Sequence, residues 1–182
     1  MVKTLFIIWS RCKLINYQTL NIGCGDSTYG NVRLDMTRNS KATVIGLASQ
    51  MPFKDESFNY IYAENVLEHQ PNPLDFLKEC KRVLKVGGFI GIVTDNAGYR
   101  GYFPLLNKFQ DKHGTYVNPK ADEDKHYMIF TVEHLKNLVK KSGMKAIYVW
   151  LGTRWKPTII QRFWILLSHS IGHSHIYMVV QK

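Results

Sequence analysis

The stretch Thr19-Leu20-Asn21-Ile22-Gly23-Cys24-Gly25-Asp26 decides the fold of this 182-residue chain. Its first four residues predict a short buried β-strand, and the glycines that follow let the backbone turn sharply and approach a ligand closely. N–H groups exposed in such a turn can hold a carboxylate or a phosphate. The ordinary dinucleotide-binding pattern has a third glycine and an acidic residue about 20 positions further on. Here Asp35 follows Gly23 by only 12 positions, and a tight turn between two strands explains the glycines equally well.

Strand and helix patterns extend outward from this turn. The sequence predicts further strands at 32–35, 42–46, 57–63, 89–94, 144–151 and 176–180. It predicts one helix that Asn72 caps and Gly87-Gly88 ends, and a second from Thr131 to Lys141. Alternating strands and helices favour an α/β sheet with helices on its faces. The connections after the first two strands are short, so we expect the helices there to be reduced or missing.

Composition favours a globular cytoplasmic protein. Hydrophobic residues make up 45% of the chain and charged residues 21%, which excludes disorder, collagen and coiled coil as the main state. The three cysteines, Cys12, Cys24 and Cys80, are widely spaced, so neither a disulfide scaffold nor a thiolate zinc site is predicted. The longest apolar runs, 5–9 and 163–167, are far shorter than the ~20 residues of a spanning helix. We expect a single domain over residues 1–182.

Charge is distributed unevenly along the chain, whose formal net charge is +10. Residues 1–95 carry 11 basic and 9 acidic side chains, whereas residues 96–182 carry 13 basic and 5 acidic ones. The first part is therefore nearly neutral in net charge, as is typical of a catalytic or binding core. The second part is suited to an anionic partner, whether nucleic acid, a phosphorylated substrate or a lipid surface.

Further landmarks follow the glycine turn in a fixed order. They are Asp35 at the end of the second strand, ASQMPF at 48–53, DESFNYI at 55–61, ENVLEH at 64–69 and RVLKVGG at 82–88. From about Leu20 to Asp95 this series resembles the class I S-adenosylmethionine-dependent methyltransferases of the type 11 family. The resemblance implies a Rossmann-like, doubly wound sheet of about seven strands, mostly parallel with an antiparallel last strand. It also implies S-adenosylmethionine as the cofactor.

The resemblance assigns a cofactor site at the carboxyl ends of the strands, where open α/β sheets bind their ligands. Backbone groups of the glycine turn would hold the methionine end, Asp35 the ribose hydroxyls, and Ala48 the adenine. Two positions depart from the family pattern: Asn21 replaces an acidic residue, and Leu47 replaces an Asp that often bonds the adenine amine. The full set of cofactor-binding candidates is Asn21, Gly23, Cys24, Gly25, Asp35, Ala48, Ser49 and Glu64.

Two histidines are candidates for a catalytic base, which a hydroxyl acceptor would require. His69 follows the fourth strand near the expected methyl position, although it could instead cap its loop. His126 lies in a stretch that resembles the family segment closing over the pocket, and its alternative role is that of a surface loop histidine. Asp95, at the end of the fifth strand, could orient the acceptor or cap its loop.

No metal ion is predicted. Some O-methyltransferases bind a divalent ion through an E-x-x-E-H motif after the fourth strand, but Asn65 stands here where the first Glu would be. Hard cations favour several carboxylates, so this substitution argues against metal dependence. His169, His173 and His175 are closely spaced, as metal ligands can be. We expect instead a cluster that faces solvent or nucleic acid.

The methyl acceptor is expected to be a small molecule or a glycan- or lipid-linked intermediate. The alternatives are nucleic-acid methylation, which charge alone favours, and a non-catalytic S-adenosylmethionine-binding protein. Residues 96–130 are predicted to form a lid that supplies Tyr99, Tyr102, Phe103 and Tyr127 to the acceptor pocket. The basic and aromatic insert 152–174 contains a predicted helix at 157–171. This helix could pack on the sheet, or residues 154–171 could contact a membrane surface peripherally.

Overall fold

The computed structural model describes residues 17–99, 126–153 and 173–182, together with the single positions 162 and 165. Five strands occur in the first range, β1 (Thr19–Ile22), β2 (Val32–Asp35), β3 (Val44–Ile45), β4 (Phe58–Glu64) and β5 (Leu84–Asp95). Helix α1 (Pro73–Val83) lies between β4 and β5, preceded by a short 3-10 helix at Leu67–His69. Helix α2 (Val132–Lys141), β6 (Lys145–Gly152) and β7 (His175–Gln181) complete the described elements.

These strands form one seven-stranded sheet in the order β3-β2-β1-β4-β5-β7-β6. Strands β1 to β5 run parallel to one another, whereas β7 runs antiparallel to both β5 and β6. The predicted Rossmann-like sheet, mostly parallel with an antiparallel last strand, is therefore confirmed. Because the first five strands are parallel, their carboxyl ends lie along one edge of the sheet.

The first two connections contain no helix, as their length predicts. Residues 23–31 join β1 to β2, and residues 36–43 join β2 to β3. Helices α1 and α2 pack against the sheet and against each other. Their inward residues join the strand residues in one apolar cluster. Phe76 and Leu77 of α1 and Leu135 of α2 are fully buried there.

Helix α1 begins as predicted but ends earlier. The side chain of Asn72 accepts a hydrogen bond from the Asp75 N–H at 3.4 Å, and Pro73 occupies the first helical position. The prediction that Gly87-Gly88 ends this helix is wrong, because Leu84 is already extended with φ −81° and ψ 135°. Leu84 is fully buried and pairs with Phe58 in the sheet. Burial of this side chain in the sheet therefore ends the helix at Val83.

The later elements follow the predicted pattern. The Thr131 side chain accepts from the His134 N–H at 3.2 Å and caps α2, and Gly143 follows the helix with φ +78°. Strand β3 is shorter than predicted, with two residues. Tyr102, Phe103 and most of the insert 152–174 lie outside the described residues. Within the described ranges, no helix has the length and apolarity needed to cross a membrane.

Candidate functional site

The glycine turn after β1 adopts a conformation that favours glycine. Gly23 has φ +62° and Gly25 has φ +48°, both in the left-handed region. The Gly23 N–H donates to the Leu34 carbonyl oxygen at 2.8 Å, which fixes the turn against β2. A Cβ atom on Gly23 would lie 2.5 Å from Cγ2 of Val66, whereas one on Gly25 would meet nothing within 4 Å. The turn is thus packed at its first glycine and open at its second.

Asp35 fastens this turn from the end of β2. Its Oδ2 accepts from the Gly25 N–H at 2.8 Å, and its Oδ1 accepts from the Thr37 N–H at 2.8 Å. The two candidates that the sequence separates by ten positions are therefore in direct contact. An ionised carboxylate offers about four lone-pair sites. Two backbone bonds leave Asp35 with capacity to accept from hydroxyl groups of a bound molecule.

Asn21 and Cys24 are buried beside the same turn. The Asn21 side-chain nitrogen donates to Ser27 Oγ at 3.4 Å and to the Tyr29 carbonyl oxygen at 3.3 Å. This amide therefore holds the loop between β1 and β2 in place. Cys24 is 5% exposed, and burial raises the pKa of its thiol, so the sulfur is neutral at physiological pH. Neither side chain brings a negative charge to the site.

Ala48 and Ser49 occupy a turn after β3 that a bridge between Leu47 and Gln50 closes. Exposed apolar side chains lie near the carboxyl ends of β2 and β3: Met36 is 64% exposed and Leu47 is 54% exposed. Apolar surface of this kind is suited to stacking against a planar ring. Met36 directly follows Asp35, and Leu47 directly precedes Ala48.

Glu64 ends β4 at the same edge of the sheet. Its Oε2 accepts from the Tyr62 hydroxyl at 2.7 Å. The Tyr62 ring in turn packs edge-on against Tyr29 at 5.6 Å between ring centroids, which connects β4 to the loop after β1. Burial is the main reason why the pKa of Tyr62 is raised, with the bond to Glu64 second. Tyr62 therefore remains a hydrogen-bond donor to Glu64 at neutral pH.

The two candidate bases lie side by side. The rings of His69 and His126 are 4.4 Å apart between centroids and meet at 84°. Nδ1 of His126 is 3.0 Å from Oδ2 of Asp95, and Nε2 of His175 is 3.8 Å from Oδ1 of the same carboxyl. Asp95 itself is only 4% exposed. The fold thus joins His69, His126 and Asp95, which the sequence suggested separately, and adds His175 from β7.

Glu68 is the residue of this cluster that sequence reasoning missed. It is fully buried, and its Oε2 accepts from the Thr94 hydroxyl at 2.8 Å. Its Oε1 is also buried and has no hydrogen-bond partner among the described residues. Burial raises the pKa of the Glu68 carboxyl to about 7, and the negative charge of Asp95 adds to this shift. The sequence holds one signal for it: a charged side chain follows Leu67, an apolar residue that the fold buries.

Comparison with known proteins shows similarity in sequence and in fold. The sequence model of a methyltransferase domain family matches residues 26–92. A crystal structure of an S-adenosylmethionine-dependent methyltransferase from Archaeoglobus fulgidus superposes with a TM-score of 0.67, at 15% identity, covering 100% of this chain and 93% of that chain. The resemblance to class I S-adenosylmethionine-dependent methyltransferases is confirmed. S-adenosylmethionine is the cofactor of this family.

Two curated relatives share parts of the sequence. One is an uncharacterized protein of Methanocaldococcus jannaschii, 44% identical over 52 residues, which are 28% of this chain and 25% of that protein. The other is the demethylmenaquinone methyltransferase of Lactobacillus johnsonii, 27% identical over 118 residues, which are 57% of this chain and 46% of that enzyme. The chain thus spans about a quarter of the length of the first relative and about half of the length of the second.

The E-x-x-E-H position of metal-dependent methyltransferases takes a different form here. Asn65 has φ +52°, and its side-chain oxygen is buried without a hydrogen-bond partner in the described part of the chain. Within that same part, no group of three or more His, Cys, Asp or Glu side chains could hold a metal ion. His173 and His175 lie at the start of β7, whereas His169 is outside the described residues.

Proposed function

We propose that this chain binds S-adenosylmethionine at the carboxyl edge of the sheet. We propose further that it transfers the methyl group to a small molecule or to a glycan- or lipid-linked intermediate. The contact between the Asp35 carboxylate and the Gly25 N–H, 2.8 Å long, carries this proposal. It places a negative charge and a turn with open space at Gly25 side by side, which is the combination that a ribose and an amino-acid group require.

The residues present fit this cofactor. The backbone of Gly23 and Gly25 would hold its amino-acid end, and Asp35 its ribose hydroxyls through charge-assisted hydrogen bonds. The exposed Met36 and Leu47 and the turn at Ala48 and Ser49 would border the adenine. Glu64 would contribute a second carboxylate. When bound, S-adenosylmethionine supplies a methyl group that its sulfonium has already activated.

The protein must then position the acceptor and exclude water from the site. For a hydroxyl acceptor it must also remove a proton. We assign the proton transfer to His126, because its Nδ1 lies 3.0 Å from Asp95 and its ring lies against His69. The negative charge of the nearby Asp95 carboxylate would stabilise the imidazolium that forms when His126 accepts this proton. Tyr127 and Met128 follow His126 and are both exposed, so they can cover an apolar acceptor.

The relative named demethylmenaquinone methyltransferase supports the small-molecule and lipid-linked class of acceptor. An aromatic, apolar molecule of that kind suits the exposed Tyr127 and Met128. The basic second half of the chain also suits an acceptor that carries a phosphate.

Titration calorimetry with S-adenosylmethionine and S-adenosylhomocysteine tests the proposal. We expect binding by the unaltered protein, and a loss of about 1–3 kcal/mol in Asp35→Asn because a neutral amide replaces the carboxylate. Asp26→Asn removes the same charge from an exposed neighbour of the turn and should leave the affinity within about twofold. No binding at millimolar cofactor would refute the proposal.

A radiolabelled-methyl assay with quinols, sugar phosphates and lipid intermediates then identifies the acceptor class. Methylation of an oligonucleotide that weakens steeply with salt would instead support the nucleic-acid alternative. Cofactor binding without methylation of any acceptor class would support a non-catalytic S-adenosylmethionine-binding protein.

A further inference from the structure

The glycine turn is flanked by two buried side chains that carry no charge. The Asn21 amide bonds to Ser27 and Tyr29, and burial raises the pKa of the Cys24 thiol and keeps it neutral. S-adenosylmethionine has an ammonium group and a sulfonium against a single carboxylate, so it is a cation overall. The N–H groups of a turn suit its carboxylate. Its ammonium group needs oxygen acceptors, and an ionised one would compensate its charge.

We propose that Glu64 binds the ammonium group of S-adenosylmethionine, and that Tyr62 positions the Glu64 carboxylate for this contact. The inference rests on the proposed function, because it takes S-adenosylmethionine as the ligand. It assigns Glu64 to one group of that ligand. It also adds a positioning residue, Tyr62, that lies outside the set of candidates predicted from the sequence.

The register of β1 and β4 places Glu64 beside the turn. These parallel strands pair Ile22 with Ala63. The next position along each strand brings Glu64 next to Gly23, across the spacing of about 4.8 Å between neighbouring strands. The chain that follows β4 also stays against the turn, because Cγ2 of Val66 lies 2.5 Å from where a Cβ on Gly23 would be. Glu64 is therefore within reach of a group that lies on the turn.

Tyr62 holds the Glu64 carboxylate on one face of the sheet. Residues two apart on a strand share a face, and the Tyr62 hydroxyl donates to Oε2 of Glu64 at 2.7 Å. The Tyr62 ring packs edge-on against Tyr29 in the loop after β1. The Tyr29 carbonyl oxygen in turn accepts from the Asn21 side chain at 3.3 Å. The strand β1 and the loop that follows it thus restrain the hydroxyl that holds Glu64.

The bond between Tyr62 and Glu64 is compatible with an ammonium partner. Burial, and then the bond to Glu64, raises the pKa of Tyr62, so its hydroxyl remains a donor at neutral pH. A carboxylate offers about four lone-pair sites, and this bond uses one of them. A carboxylate that is already held loses less conformational freedom on binding than a mobile one. Tyr62 therefore favours cofactor binding without contacting the cofactor itself.

The carboxylates of Asp35 and Asp26 are less suited to this role. Asp35 accepts from the Gly25 N–H with one oxygen and from the Thr37 N–H with the other, and its proposed partners are the ribose hydroxyls. Asp26 is exposed, so water and salt screen its charge. Glu64 is partly buried, so its charge is screened less.

Two matched ligands isolate the ammonium contact. S-adenosylhomocysteine has the ammonium group and lacks the reactive methyl group, and its desamino analogue has hydrogen in place of the amino group. The ratio of their affinities, from titration calorimetry at neutral pH, measures how strongly the protein recognises the ammonium group. We expect the unaltered protein to prefer S-adenosylhomocysteine by about tenfold or more, because a charge-assisted hydrogen bond distinguishes the two ligands.

Glu64→Gln keeps the shape of the side chain and an acceptor for Tyr62 but removes the charge. We expect it to weaken binding of S-adenosylhomocysteine by about tenfold and to weaken binding of the desamino analogue by no more than about twofold. Asp35→Asn should weaken both ligands alike and keep the preference. Glu133→Gln, which removes an exposed carboxylate on α2, is the matched control and should change neither affinity. A preference that survives in Glu64→Gln would overturn the proposal.

Tyr62→Phe tests the positioning role, because phenylalanine keeps the ring against Tyr29 but cannot donate to Glu64. The preference should fall about threefold in Tyr62→Phe, and Tyr62→Phe should not change it further in the Glu64→Gln background. A merely structural role would weaken both ligands equally in either background, and that result would overturn the positioning role. If thermal unfolding shows that Glu64→Gln does not fold, Tyr62→Phe decides alone, and an unchanged preference then overturns the proposal.

The outcomes separate this inference from the proposed function. If the unaltered protein binds neither S-adenosylmethionine nor S-adenosylhomocysteine, the proposed function fails and this inference fails with it. If it binds both, but has no preference for S-adenosylhomocysteine over the desamino analogue or keeps its preference in Glu64→Gln, only the role of Glu64 fails.

Discussion

Arg82 anchors the turn that carries Ala48 and Ser49 to helix α1. Its guanidinium donates to both oxygens of Glu79, at 2.9 and 2.6 Å, and to the carbonyl oxygens of Phe53 and Met51, at 2.8 and 3.1 Å. Glu79 in turn accepts from the Met51 N–H at 2.8 Å. Only a planar fork with several donors can reach these partners together, so Arg82→Lys should remove most of the arrangement while keeping the charge.

The expected loss follows from the bonds that lysine cannot replace. A lysine ammonium can keep one carboxylate contact, with Glu79 or with Asp55, whereas the two carbonyl bonds and the other carboxylate bonds are lost. Each such bond is worth about 1 kcal/mol net, and more where a charge is involved. Arg82 is 33% exposed, so water replaces part of what is lost. We therefore expect Arg82→Lys to lower the free energy of unfolding by about 2–3 kcal/mol.

The assay is urea denaturation followed by tryptophan fluorescence at pH 7, with Arg162→Lys as the control because Arg162 is exposed. The same variant should weaken S-adenosylmethionine binding, since Met51 closely follows the Ala48–Ser49 turn. The hydrogen bond from Arg82 holds the pKa of Glu79 below its ordinary value. This pair therefore stabilises the fold above pH 4.5 and loses that contribution as the pH falls below it. A free energy of unfolding within about 0.5 kcal/mol of the control would refute this account of Arg82.

Two further predictions concern the glycine turn and the buried carboxyl. Gly23→Ala should lower the free energy of unfolding by about 2–3 kcal/mol in urea denaturation, because its Cβ would meet Val66 and its φ is +62°. Gly25→Ala, strained but in open space, should cost only about 1 kcal/mol, and equal losses would contradict the contact with Val66. Between pH 4.5 and about 7 the folded protein keeps a proton on Glu68 that the unfolded chain has released, so stability should fall as pH rises through this range. Glu68→Gln should abolish that fall, which amounts to roughly 3 kcal/mol at most, and thermal unfolding curves with the same pH dependence in both proteins would contradict the assignment.

Local sequence signals predicted most of the fold because they act over a few residues. Asn72 and Thr131 cap their helices through side-chain acceptors, as their residue types indicate. The errors arose where tertiary contacts outweigh local preference. Leu84 leaves the helix to be buried beside Phe58, and β3 is limited to the two residues that pair with β2. Neither outcome is encoded in the helix or strand periodicity of the segment itself.

The cofactor site and the polar cluster differ in how far sequence could predict them. The glycine turn and Asp35 were placed together by a recurring motif, and a direct hydrogen bond joins them. Glu68, Asp95 and His126 are separated by 27 and 31 positions, and only the register of β4 and β5 with the approach to α2 brings them together. Sequence identified His69 and His126 as candidates but gave no reason for their rings to touch.

The short connection between β1 and β2 explains why Asp35 has two tasks in this chain. A helix that follows a glycine turn usually presents its N-terminal N–H groups to the ligand and fixes the turn at the same time. Here side chains replace that helix: Asp35 binds Gly25, Asn21 binds the loop at Ser27 and Tyr29, and the Asn31 side chain accepts from the Thr19 N–H at 2.9 Å. The carboxylate that would hold the ribose therefore also shapes the turn that would hold the amino-acid end. Asn at position 35 keeps an acceptor for one backbone bond, so any binding lost in Asp35→Asn without loss of stability measures the charge itself.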